Sequence, residues 1–220
     1  MLQLICELVP ELMPEYYNNH EPVNIKFDPA GLDVALEKWE MSFLWKRKKP
    51  SVTGTVFFGS SHPRRPIHTS LLIQAKPEII DSQKLSQFVR VFSQTFRPDI
   101  GLVHVRPKSE MESGMTFKMS TFVLKESLPD LYWVTVFGNP YVKLFGKERL
   151  LSTPTSVVNE LDDGLVYIQL TNNLMDIRKT PERVEQAREA AKKHLNSNAF
   201  FDSEKSLNHV YNTPSFNIVE

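Results

Sequence analysis

Residues Leu128–Leu170 read LPDLYWVTVFGNPYVKLFGKERLLSTPTSVVNELDDGLVYIQL, and the order of elements in this stretch decides the fold class. Apolar and aromatic residues run from Leu131 to Phe137 and stop at Gly138, which marks a strand and its end. A short helix follows between Asn139–Pro140 and Gly146. Proline suits its first turn, Tyr141, Leu144 and Phe145 form its buried side, and Gly138 and Gly146 flank it as backbone-permissive positions. Next come a strand ending near Glu160, a turn at Asp162–Asp163–Gly164 and a return strand, Leu165–Leu170. Asp and Gly tolerate the positive φ that tight turns between strands require. Tyr132 and Trp133 are neighbours on one strand, so one faces the core and the other the opposite face of the sheet.

Working outward, Leu2–Val9 mixes apolar residues with Gln3 and Glu7 and reads as an opening strand, ended by Pro10 and Pro14. Asp28–Pro29 is a helix start, and Leu32, Leu36, Trp39 and Phe43 recur at helical spacing, which predicts a helix over Asp28–Phe43. The basic run Lys46–Lys49 then caps its C-terminal end. Thr53–Phe58 and Ser70–Ala75 read as strands joined by a loop, Gly59–Pro66. Leu85, Phe88, Val89, Phe92 and Phe96 define a helix from Asp81 to Phe96, stopped at Arg97–Pro98. Leu102–Val105 is a short buried strand. Met115, Phe117, Met119, Thr121 and Val123 alternate with polar residues, as in a half-buried antiparallel strand.

Thr180–Pro181–Glu182 opens a last helix, Pro181–Leu195, with a thin apolar stripe (Val184, Ala187, Ala191, Leu195) and outer pairs Glu185–Arg188 and Glu189–Lys193. It belongs at the surface. Residues 196–220 form an irregular tail. The whole is an α+β fold, a mainly antiparallel sheet packed by about three helices, with residues 1–220 as a single domain.

The 220 residues carry 26 basic and 26 acidic side chains, so the zero net charge gives no long-range attraction to nucleic acid or a membrane. Cys6 is the only cysteine, which excludes an intrachain disulfide and a cysteine-built zinc site. The N-terminus lacks a basic n-region, and no apolar run approaches the roughly 20 residues that span a bilayer. A cytoplasmic location is expected.

Candidate chemistry is sparse. Six histidines (His20, His62, His68, His104, His194, His209) show no metal-ligand spacing with one another or with nearby carboxylates. His104, in an apolar strand, reads as structural. Ser60–Ser61–His62 lacks the strained elbow that presents a hydrolase serine, and reads as a turn. Cys6 behaves as a small hydrophobe without a base beside it. Neither phosphate-binding glycine pattern occurs among the eight glycines. Lys46–Lys49 beside Trp45 reads as a solvated helix end rather than a nucleic-acid contact. No catalytic, cofactor or metal residue is therefore assigned.

The order Trp133–x–x–x–Phe137–Gly138–x–Pro140–Tyr141, then Phe145–Gly146–Lys147–Glu148–Arg149–Leu150, Pro154, and Asp162–Asp163–Gly164 resembles the immunity protein 52 family of bacterial toxin–antitoxin and contact-dependent competition systems. That resemblance implies a cognate antidote, as in type VI secretion, which binds one secreted toxin and blocks it in the producing cell. The toxin is often a nuclease of the restriction-endonuclease fold. It implies no catalytic residue and no cofactor. Within it, Trp133, Gly138, Pro140, Tyr141, Gly146 and Gly164 build the fold, and the exposed acids Glu7, Glu11, Glu15, Asp162 and Asp163 are the expected contacts to a basic toxin surface. An adaptor or chaperone for secreted effectors, binding several partners through an apolar patch, is the alternative, and an enzyme using His62 or His104 is a third.

Overall fold

The computed structural model describes residues 1–31, 37, 41–59, 68–105, 124, 126–202, 204–206 and 208–216, with Phe58, Gly59, His68 and Asp163 described by their backbone alone. The helix stripe Leu32–Leu36–Trp39, the loop between Gly59 and His68 with Ser60, Ser61 and His62, and the expected strand Met115–Val123 lie outside the described residues. The chain divides into two compact units, Met1–Phe88 and Val89–Phe216. Among the described residues each carries one antiparallel sheet, as an α+β fold requires.

The first unit opens with helix α1, Leu2–Leu8, where a strand was expected. Leu2, Ile5 and Val9 stand at i, i+3 and i+7, and all three are buried, so one helical face meets the core while Gln3 and Glu7 face outward. A five-stranded sheet follows, built from β1 (Tyr16–Asn18), β2 (Ile25–Lys26), β3 (Ser42–Arg47), β4 (Val52–Gly59) and β5 (His68–Ala75) in the order β2-β1-β3-β4-β5. The expected helix Asp28–Phe43 does not extend to either of its expected ends. Pro29–Gly31 is a 3₁₀ turn, Glu37 is helical, and Phe43 belongs to β3.

Phe43 and Trp45 alternate inward, each 1% exposed, and the Trp45 indole donates to the Leu12 carbonyl at 3.3 Å. Tyr17 stacks on Phe43 with ring centroids 5.4 Å apart. The basic run does not cap a helix. Arg47 ends β3, Lys48 and Lys49 form the turn into β4, and Arg47 donates to the carbonyls of Lys49 and Pro10.

Helix α2, Ser82–Phe96, forms where expected, but of its stripe Leu85 and Phe88 are buried, Val89 and Phe92 half-buried and Phe96 47% exposed. Asp81 caps it by accepting from the amides of Gln83 and Lys84 at 2.9 Å.

The second unit holds β6 (Ile100–Val103), β7 (Val134–Phe137), β8 (Val157–Leu161) and β9 (Leu165–Gln169) in the order β6-β7-β9-β8. Helices α3 (Asn139–Phe145) and α4 (Lys147–Leu151) lie between β7 and β8. Helix α4 is an element that the sequence reading passed over. Helices α5 (Asp176–Lys179) and α6 (Pro181–Leu195) follow β9.

One face of this sheet, with Phe137, Val166 and Ile168, packs on Tyr141, Phe145 and Leu150 from α3 and α4 and on Ala191 and Leu195 from α6. So α6 is exposed on one side and fully committed to the core on the other. Its outer ion pairs are Glu185–Arg188 and Glu189–Lys192, the latter in place of the expected Glu189–Lys193. A parallel bridge joins Leu128 to Phe200, fixed by Leu128 N–H to Ala199 and Phe201 N–H to Leu128.

Candidate functional site

Five of the six signature residues line the interior of the second unit or the turns that enclose it. Trp133 and Tyr141 are 0% exposed. The Trp133 indole donates to the Thr171 carbonyl, which also accepts from Gln169 Nε2 at 2.7 Å, and Tyr167 Oη donates to Gln169 Oε1 at 2.5 Å. These bonds tie the entry of β7 to the exit of β9. The Tyr132 ring lies 4.4 Å from that of His104. Gly138 passes so close to the Pro98–Asp99 backbone that an added Cβ would fall on the Pro98 carbonyl oxygen and within 2.8 Å of Asp99 Cα. Pro140 occupies the first turn of α3, and Gly146 leaves that helix at φ 84°. The Tyr141 hydroxyl is buried without a hydrogen-bond partner among the described residues. Burial first, and the charge of Asp99 second, push its pKa far above the ordinary tyrosine value.

Gly164, the sixth, closes a 3₁₀ turn over Asp162–Gly164 at φ 84°, so of the three turn residues only the glycine takes the left-handed conformation. Asp162 is exposed at this tip and accepts from Gln94 Nε2 of α2 at 3.2 Å. Glu160, just before it, pairs with Lys147. Strand β9 behind the tip is buried at every position, which mounts the carboxylate on a fixed base.

The other expected contacts lie in the first unit. Glu7 is exposed and accepts from Gln3 Nε2 at 2.9 Å, and Glu11 is half-buried in a 3₁₀ turn, Pro10–Leu12. Glu15 has a structural task instead: its carboxylate accepts the Lys48 amide at 2.9 Å and holds the β3–β4 turn.

Two polar constellations escaped sequence reading because their members are distant in the chain. Asp130 lies between Arg188 (3.5 Å) and Lys192 (3.4 Å) of α6, and Arg188 Nε also donates to the Leu131 carbonyl at 2.8 Å. Burial lowers the Lys192 pKa, but the hydrogen bond it donates to Glu189 and the charges of Asp130 and Glu189 outweigh it, and the net shift is upward. Secondly, His194 Nε2 lies 3.1 Å from Ser152 Oγ, the spacing of a nucleophile and its base. The same nitrogen lies 2.9 Å from the Arg149 carbonyl, which can only accept, so Nε2 carries the proton and cannot take one from serine. Ser152 itself donates to the Glu148 carbonyl at 2.9 Å. The pair locks the end of α4 to α6.

Cys6 is half-buried in α1, where burial and Glu7 raise its thiol pKa away from the reactive thiolate. Among the described residues no group of three His, Cys, Asp or Glu side chains could share a metal ion, and no helix is long and apolar enough to cross a membrane. A shallow groove of about 300 Å³ runs between Ser156, Thr171 and Arg183. Its hydroxyls at Ser156 and Thr171 already donate to backbone carbonyls, so it offers acceptors and one guanidinium. Comparisons of the chain with protein-family models, curated proteins and solved structures find no match.

Proposed function

We propose that the protein is an immunity protein of the kind the signature block resembles, which binds one cognate secreted toxin and blocks it by occlusion. The toxin class is a nuclease of restriction-endonuclease fold. The observation that supports this reading most is the setting of Asp162, an exposed carboxylate at the tip of a hairpin whose return strand β9 is wholly buried. A tip ordered before binding loses little conformational freedom on contact, so its charge is used efficiently. A nuclease is basic where it holds phosphate, and a fixed carboxylate complements such a surface.

An antidote must leave almost no free toxin, which calls for sub-nanomolar binding, or roughly −12 kcal/mol and beyond. Zero net charge confines attraction to local acidic patches. Association is then steered less from a distance than in a strongly acidic inhibitor, and its rate depends less on salt.

Co-expression with the toxin encoded beside it, followed by a pull-down, tests the reading. Growth rescue with a stable complex supports it; the absence of both rescue and complex refutes it. Asp162→Lys and Glu7→Lys in separate strains then report which unit meets the toxin, with loss of rescue expected for Asp162→Lys.

A further inference from the structure

Strand β5 ends the five-stranded sheet on the side away from β4, and among the described residues β4 is its only hydrogen-bonded neighbour. Edges of this kind are usually kept short, charged, bulged or interrupted by proline, because a row of open N–H and C=O groups pairs readily with another strand. The opposite edge, β2, follows that rule with two residues. β5 does not. It is eight residues long, HTSLLIQA, contains no Asp, Glu, Lys, Arg or Pro, and pairs with β4 in unbroken register from Val52↔Ala75 to Gly59↔His68, without a bulge.

Side-chain burial marks the same edge as incomplete. On the core face, Phe43, Trp45, Val52 and Val56 of the inner strands are 1–3% exposed, whereas Leu71 and Ile73 of β5, on that same face, are only half-buried. On the other face Leu72 is 43% exposed.

We infer that β5 is a homodimer interface: two copies of the chain pair their β5 strands antiparallel about a two-fold axis at Leu72, joining two five-stranded sheets into one. The partner is a second copy because the strand complements itself. Turned about Leu72, Leu71 meets Ile73, Ser70 meets Gln74, and Leu72 meets its own counterpart, so apolar faces apolar and polar faces polar near the axis, and only the outer pair, Thr69 with Ala75, is mixed. A two-fold axis also brings copies of the same short segment together, so a strand with charges of one sign would meet like charge there; this one carries no Asp, Glu, Lys or Arg. The pairing covers Leu71 and Ile73.

Sedimentation or light scattering of the full chain at about 100 μM, a concentration at which a micromolar dimer is populated, reads the outcome against the chain mass of 25.4 kDa. Twice that mass is expected, with return to the single-chain mass in Leu72→Lys and in Gln74→Lys, both at exposed positions. A single-chain mass for the unmodified protein overturns the inference. So does a dimer that both variants leave intact, which would place the interface elsewhere. If circular dichroism shows that either variant has lost its fold, hydrogen exchange decides. Amides of Thr69–Gln74 that exchange more slowly at high than at low concentration support pairing, and identical rates overturn it.

Discussion

The indole of Trp133 reaches the Thr171 carbonyl at 2.9 Å, although 38 positions separate the two residues. That bond links the start of β7 to the segment leaving β9, and it does so where both residues are buried. A buried indole N–H needs such a partner, and the hairpin return supplies it.

Replacing Trp133 by Phe removes the donor but leaves no orphaned acceptor, because Gln169 still donates to Thr171. The expected loss, from a small cavity and one net hydrogen bond, is about 1–3 kcal/mol, and Trp133→Ala should lose about 3–5 kcal/mol. Urea unfolding of the unmodified protein and both variants measures these losses. A Trp133→Phe variant as stable as the unmodified protein would show that the bond contributes nothing.

Two glycines of the signature block should respond differently to alanine. At Gly138 the new methyl meets backbone that cannot yield, so overpacking should cost about 3 kcal/mol. At Gly146 there is open space and only the φ of 84° to strain, so about 1 kcal/mol is expected. The order of the two melting temperatures is the readout; a more damaging Gly146→Ala would contradict it.

The Tyr141 hydroxyl sets an alkaline limit. Its folded-state pKa is raised, so the stability linked to it is complete below the unfolded value near 10 and is lost as pH rises from there through the folded value. Tyr141→Phe removes a buried donor that has no partner among the described residues, and should be neutral or stabilising by up to about 1 kcal/mol at pH 7. It should also flatten the fall in stability above pH about 10. Denaturation midpoints at neutral and alkaline pH test both statements together.

Lys192 contributes a second alkaline limb of the same sign. Its raised pKa means that its contribution is present below the unfolded value near 10.4 and disappears as pH climbs through the folded one. Asp130→Asn weakens the tie from Leu131 to α6 and should cost about 1 kcal/mol at neutral pH, since the group is partly exposed. The cost should shrink at high pH, as the unmodified protein loses the same interaction. A penalty independent of pH would show that packing, not charge, carries the Asp130 contact.

Sequence reading recovered α3, the β8–β9 hairpin, α2 and α6 because each is announced locally: proline in a first turn, glycine at a positive φ, or a full helical stripe. It misread α1 as a strand because seven residues give too little periodicity to separate a helix from a strand. It placed Phe43 on a helix because that residue satisfies two periods at once, four positions after Trp39 and two before Trp45. The pairing of β3 with β1 and β4 settles the matter in favour of the strand. Of the expected contacts, the exposure of Asp162 was legible from its turn, but the use of Glu15 as a brace for Lys48 was not, since it depends on a strand pairing 33 positions away. The Asp130–Arg188–Lys192 and Ser152–His194 groupings were hidden for the same reason.

The bridge between Leu128 and Phe200 also fixes an order of events during synthesis. The ribosome can release the whole of β7, β8 and β9 while Phe145 still lacks the ring of Phe200 that stacks on it and Leu128 lacks the backbone of Ala199. A nascent chain halted at Leu170 therefore presents an unfinished apolar surface to chaperones and proteases. The unit becomes self-sufficient only when α6 and the two residues that zip onto Leu128 have left the exit tunnel.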